Sequence, residues 1–325
     1  MAQVALEQQL VKYLADAHSI EEQALQQLGS APRLAGDPEL AAIFQAHLVE
    51  TERHELAVRQ RLNAHGAKPS ALKGLAMRVG GVGFVLFARF QPDTPGKLAA
   101  HAFSYEHLEV AAYELLERVA KRVGDEQTVE TARSIREEER DMAGRIADAF
   151  DRAVDASLRA GGGSDLRERL VAYLADAHAI EAQAVQLLAK GPRAAGDPEL
   201  ARLYSEHLDE TRIQQTLVRE RLEAHGGKPS LLKDAAMRLG ALNWGFFFQA
   251  HPDTPGKLAA FAYAFEHLEV AAYEELRRVA ERVRDEKTVA VADRIIGEER
   301  AAADKLAGAF DAAVDASLRE KELVY

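Results

Sequence analysis

Apolar residues return every three or four positions along most of this chain, a period that predicts helices. Four such stripes run through the first half. The first is Leu10, Leu14, Ala17, Glu21, Leu25 and Leu28; the second is Leu40, Ile43, His47, Glu50, His54 and Leu62. The third is Leu98, Ala102, Tyr105, Glu109, Ala112, Leu116 and Val119, with Glu106 and Tyr113 one step round the same face. The fourth is Val129, Ala132, Ile135, Glu139, Met142, Ile146 and Phe150. They predict long helices A to D over about 5–28, 38–64, 95–123 and 126–157, and a shorter helix over about 71–89 between B and C. Gly and Pro bunch in the intervals, as helix breakers should. Asp37 before Pro38, and Asp93 before Thr94-Pro95, have the form of N-caps followed by proline in the first turn. No stretch alternates with period two, so the fold class is all-α.

The whole pattern then repeats 160 positions on, without a gap. Tyr13–His18 returns as Tyr173–His178, Gly36–Ala41 as Gly196–Ala201, Pro92–Ala100 as Pro252–Ala260 and Glu106–Glu114 as Glu266–Glu274. Each half is therefore expected to be one four-helix bundle: residues 1–160, a Gly-rich linker over 161–164, and residues 165–325. The apolar segments 78–90 and 238–249 admit two roles, a helix covering the bundle or a surface for membrane or partner docking.

Each long stripe is interrupted near its middle by an acid, where leucine is expected. Mid-helix residues of a four-helix bundle fall at about the same height, so Glu21, Glu50, Glu109 and Glu139, with Glu106, should converge. Several buried carboxylates repel one another and are costly to desolvate, which leaves protonation, a basic partner or a metal as compensation. No Lys or Arg occupies the central stripe positions, although an arginine can reach in from the flank. Hard oxygen donors with imidazole suit iron or manganese. Glutamates on four helices, with histidine added, form the di-iron carboxylate pattern. The candidate ligands are Glu21, Glu50, His54, Glu106, Glu109 and Glu139 in the first half. Their counterparts are Glu181, Glu210, Gln214, Glu266, Glu269 and Glu299. Neighbouring acids drift between the halves (Glu22 to Ala182, Glu52 to Arg212, Glu137 to Gly297) while these remain. The expectation is about two Fe or Mn ions per half, held more weakly in the second, where Gln214 replaces His54.

Other histidines are weighed lower. His47 and His207 read as hydrogen-bonded core residues with a ligand role as the alternative, and His18 as core or an outer neighbour of the site. His107 should point away, and His65, His101, His225 and His251 read as surface or loop residues. Tyr113 and Tyr273 read as packed hydroxyls, with a bond to a ligand carboxylate or a redox-active position as alternatives.

The net charge of −11 argues against sequence-independent nucleic-acid binding. The absence of cysteine excludes thiolate sites and disulfides. No secretory leader or apolar run long enough for a bilayer is visible, so a cytoplasmic protein is expected.

Each half resembles the YciE/YciF-type ferritin-like family of bacterial stress-associated proteins. The resemblance rests on YLADAHSIEEQAL around Glu21, on His47–His54 (HLVETERH), on Glu106–Tyr113 (EHLEVAAY), and on Glu138-Glu139. It covers almost all of both repeats. It implies two ferritin-like bundles in tandem, each with a di-metal site of the rubrerythrin type, and Gln is frequent in that family at the place of His54. Ala143 and Ala303 stand where many members carry an Asp. Because such domains tend to dimerise, the resemblance and the duplication together imply that the two halves pair as a pseudo-dimer, with a further homodimer open. The function so implied is a di-metal protein reacting with O2 or peroxide in stress protection, ferroxidase- or peroxidase-like if an enzyme. The alternative is a non-catalytic helical scaffold with a vestigial site.

Overall fold

The computed structural model describes residues 2–68, 94–162, 165–229 and 254–319. The predicted helix over 71–89, Asp93, His251 and the segments 78–90 and 238–249 lie outside them. The chain divides into two compact units, Met1–Gly161 and Gly162–Tyr325. Among the described residues every regular element is helical.

In the first unit these are α1 (Ala2–Leu28), α2 (Ala31–Leu34), α3 (Pro38–Ala64), α4 (Thr94–Val123), α5 (Glu126–Asp148) and α6 (Phe150–Ala160). The second unit repeats them as α7 (Leu166–Leu188), α8 (Gly191–Ala194), α9 (Pro198–Ala224), α10 (Thr254–Arg282), α11 (Glu286–Gly308) and α12 (Phe310–Arg319). In the first unit α1 packs on α3 and α4, and α5 packs on α3 and α4, so the four long helices close a circuit. The second unit has the same circuit of α7, α9, α10 and α11. These are the tandem all-α bundles that the stripes predict.

Leu10, Leu14, Leu40, Phe44, Val58, Leu62, Leu116 and Ile146 fill the first core, each fully or almost fully buried. Each such side chain contributes roughly 2 kcal/mol of transfer free energy. The helix ends follow local chemistry. Asp37 accepts from the backbone N–H of Glu39 and Leu40, and Asp125 accepts from that of Thr128. The Asp125 carboxylate also takes both oxygens to Arg61 at 2.8 Å and one to His65 at 2.8 Å, tying the end of α3 to the start of α5. His65 and His225 lie in the turns that end their helices, as expected of loop residues, and act there as latches bonded to aspartate.

Two predicted features come out differently. Helix D is not continuous over 126–157. Ala149 N–H donates to Ile146 O, tightening the last turn of α5, and the chain restarts as α6 with Phe150 edge-on to Phe103 of α4 at 5.4 Å. Ser157 of α6 then accepts from the Gly96 N–H at the start of α4. No proline or glycine marks this break, so periodicity carries no sign of it. His101, expected at the surface, lies on α4 and is partly buried, its ring 6.1 Å from that of Tyr105.

Candidate metal centre

Glu21 projects from α1, His47 and His54 from α3, Glu106 and Glu109 from α4, and Glu139 from α5, every one of them buried. They form two overlapping groups, His47–Glu106–Glu109–Glu139 and Glu21–His54–Glu139, whose ligand atoms lie within 4.8 Å of one another. Glu139 joins the two. Its Oε1 is 2.7 Å from His54 Nδ1 and its Oε2 is 3.8 Å from His47 Nε2. The mid-helix acids on α1, α4 and α5 therefore do converge, as their stripe positions predict.

The donor set is left open toward the interior. Both oxygens of Glu109 and of Glu139, Oε2 of Glu21, Oε2 of Glu106 and both ring nitrogens of His47 have no hydrogen-bond partner. His47 Nε2 and Glu106 Oε2 approach to 2.9 Å without hydrogen-bond alignment. Buried polar atoms are nearly always satisfied, so this many in one place needs an explanation. A divalent cation coordinated by carboxylate and imidazole supplies one, and the residues present fit it.

The outer faces of the same groups are held. Tyr113 donates its hydroxyl to Glu21 Oε1. His54 Nε2 is 3.1 Å from Glu138 Oε2 and its Nδ1 is 2.7 Å from Glu139 Oε1, so Nε2 is turned outward to Glu138 and Nδ1 inward to the group. That is how a metal-binding imidazole is normally oriented. Sequence reasoning missed Glu138 in this role. Its signal was the acid beside each stripe acid of helix D in both halves.

Electrostatics carry the same message. Burial pushes Glu21 and Glu106 up to about 8, Glu139 up to about 7 and Glu109 well above the carboxylate range, with charge from neighbouring acids adding to the rise at Glu21 and Glu109. Burial opposes a charged His54, but its contact and charge interaction with Glu139 win and raise it to about 9. His47 moves the other way, lowered by burial.

Glu50 is not in either group. It sits three residues after His47, with Oε2 3.5 Å from His47 Nδ1, and Arg145 of α5 binds both its oxygens at 3.1 and 2.9 Å. Arg145 draws the carboxylate to the bundle surface, where it is 22% exposed, and outweighs the effect of burial to hold it below the usual range. The arginine reaching in from the flank is this one, and it meets Glu50 rather than the central acids. His47 stands in the group instead; its signal was its stripe position one turn before Glu50, repeated in His207. His18 lies outside, bonded to Glu55 at 2.8 Å, and His107 points back to its own helix, at Phe103 O.

A family model described as a domain of unknown function (DUF892) matches residues 5–159 and again residues 165–319. The chain belongs to the DUF892 family. No solved structure matches it.

The second DUF892 copy keeps one of the two groups, His207–Glu266–Glu269–Glu299. Glu181 is buried beside it, its Oε1 accepting from Tyr273 and its Oε2 without a partner. His207 Nε2 bonds Glu266 at 2.7 Å and lies 3.3 Å from Glu299, while its Nδ1 meets Glu210 at 3.3 Å. Burial opposes its charge, but Glu266 and Glu299 raise it to about 12; at Glu299 burial works upward, and the contact with His207 outweighs it to hold the group below the usual range. Burial raises Glu266 to about 8 and Glu269 well above its ordinary value. Glu210 is 43% exposed and 4.0 Å from Lys305, so like Glu50 it is an outer residue of its DUF892 copy. Gln214 donates its amide N–H to Glu298 Oε2 at 3.1 Å, leaving its buried Oε1 without a partner.

Proposed function

We propose that each half is a ferritin-like carboxylate bundle that binds iron or manganese, and that the protein reacts with O2 or peroxide in stress protection, as the resemblance to YciE/YciF-type proteins implies. The observation that carries this reading is the set of buried carboxylate and imidazole atoms left without partners. The proposed ligands are Glu21, His47, His54, Glu106, Glu109 and Glu139, with Glu181, His207, Gln214, Glu266, Glu269 and Glu299. Glu50 and Glu210 take a different part from the ligand role their stripe positions suggest: Glu210 orients His207 through Nδ1, and Glu50 stands beside His47 at 3.5 Å, held by Arg145.

Bound metal would supply one-electron redox chemistry at these donors. The chain's own residues position the donors and keep water away. Tyr113 fixes one oxygen of Glu21 so that the other faces inward. Buried Leu14, Ala17, Leu116, Ile135 and Met142 flank the acids along their helices, which keeps the local dielectric low and each charge interaction strong.

One observation favours the scaffold reading. Because burial raises Glu21, Glu106 and Glu139 to about 7 to 8, a metal-free protein can hold them as neutral acids. Thermal melts with Fe(II) or Mn(II) separate the two. A metal protein gains about 2.7 kcal/mol at a hundredfold excess over Kd, and a scaffold gains nothing. Glu109→Gln combined with Glu269→Gln should abolish that gain and the metal content measured by plasma mass spectrometry. A wild-type protein indifferent to both metals would sink the metal reading.

A further inference from the structure

The two halves differ in one place that bears on how many ions the chain can hold. In the first half a second group, Glu21–His54–Glu139, shares Glu139 with the first. Glu139 turns one oxygen to each group, toward His54 and toward His47. The arrangement offers two neighbouring positions, each with an imidazole nitrogen and carboxylate oxygens. In the second half the carboxylates of the second position are kept, as Glu181 and Glu299, both fully buried. Its imidazole is not. Gln214 stands there, also fully buried, and its orientation is fixed from outside. Glu298 can only accept, so the amide nitrogen faces Glu298 and the amide oxygen faces inward.

An amide oxygen is a neutral, hard donor of the kind that suits Mg, Ca and Mn, while imidazole nitrogen suits Fe. The difference extends to the flank. His18 lies 2.8 Å from Glu55 and 3.8 Å from Glu22 in the first half. The equivalent positions beside His178 are Gln215 and Ala182. Both acids that meet His18 have been lost together with the histidine at position 54.

Resting on the metal-binding reading, we propose that the chain is an asymmetric iron protein: the first half holds a pair of Fe(II) ions, and the second half holds a single Fe(II) at His207–Glu266–Glu269–Glu299. Its remaining position, Glu181–Gln214–Glu299, is all-oxygen and releases Fe(II) on dilution. His54 and Gln214 are the residues that set this count.

The test is stoichiometry on the full chain. Protein is loaded anaerobically with Fe(II), desalted, and measured by plasma mass spectrometry, with circular dichroism to verify the fold. Wild type should retain about three ions per chain, His54→Gln about two and Gln214→His about four, following one imidazole per tightly held ion. Gln214→His is a gain, so loss of folding cannot imitate it. Four ions in wild type, or a count unmoved by either substitution, would overturn the asymmetry while leaving metal binding intact. No retained ion in any of the three would overturn both the asymmetry and iron binding.

Discussion

Glu138 shows how much of a site can depend on a residue that never touches its centre. It is 37% exposed at the side chain, yet it holds Nε2 of His54 and so decides which ring nitrogen faces Glu139. Removing it should leave the ring free to rotate and to change tautomer. Outer partners of this kind are worth roughly 10- to 100-fold in metal affinity. Glu138→Ala is therefore expected to weaken Fe(II) binding at the Glu21–His54–Glu139 position by about that factor in a calorimetric titration, with His47–Glu106–Glu109–Glu139 little changed. Equal weakening at both positions would show that Glu138 acts through bundle stability instead. The residue scale is also where the sequence was only partly legible. Glu21, Glu106, Glu109 and Glu139 could be read because a charge in an apolar stripe is anomalous by itself. Glu50 broke its stripe in the same way, and nothing local announced that Arg145, on another helix, would draw it outward. His47 was ambiguous for the opposite reason, since a buried histidine bonded to a neighbour has the same local pattern as a ligand.

Among the helices, the termini hold the clearest difference between the copies. The turn from α4 into α5 is a Schellman motif, with Asp125 N–H to Ala120 O at 3.0 Å and Gly124 N–H to Lys121 O at 3.2 Å. It needs a left-handed residue, and Gly124 takes φ +81° freely. The second copy makes the same bonds, Asp285 to Ala280 at 2.9 Å and Arg284 to Glu281 at 3.0 Å, but with Arg284 at φ 59°. A side chain in that conformation costs about 1–2 kcal/mol, partly offset by the entropy glycine loses on folding. Arg284→Gly should then stabilise the second unit by about 1 kcal/mol, a rise of some 2–4 °C in Tm. An unchanged or lower Tm would mean that the arginine side chain earns its place by contacts that outweigh the backbone strain. Helix existence and the N-cap at Asp37 were legible from period and capping chemistry. The break at Ala149 was not, because it comes from the packing of Phe150 on Phe103 across helices.

At the scale of the whole molecule, acid stability is governed by carboxylates that work in the opposite sense to the buried centre. Burial works against the charge of Glu117, but Lys121, Arg133 and Arg136 outweigh it and hold the group down at about 2. Asp125 and Asp285 are likewise depressed, against burial, by Thr128 with His65 and Arg61 and by Thr288 with Arg221 and His225. A carboxylate lower in the folded than in the unfolded chain adds stability above its unfolded pKa, which is lost as pH falls through the folded value. For Glu117 that window runs from 4.5 down to about 2. Glu117→Gln should flatten the fall of Tm across this window; a slope identical to wild type would assign acid lability elsewhere. The division into two units was the most legible feature of all, because a gapless repeat states it outright. Among the described residues no helix is long and apolar enough to cross a membrane.

The Glu117 network carries one more consequence. In the first unit Glu117 of α4 meets Arg133 of α5 at 2.9 Å, and in the second Arg277 of α10 meets Asp293 of α11 at 3.7 Å, the same pair with its polarity reversed. Two near-identical repeats on one chain risk exchanging helices as they emerge and fold, a known failure of tandem domains. Were α4 to dock on α11, Glu117 would face Asp293; were α10 to dock on α5, Arg277 would face Arg133. At this pair each wrong hairpin meets like charge and each right one its opposite, whereas the Glu114–Arg140 and Glu274–Arg300 pairs keep one polarity and favour either. The reversed pair thus leans against such an exchange, by the roughly 0–1 kcal/mol that an exposed ion pair carries.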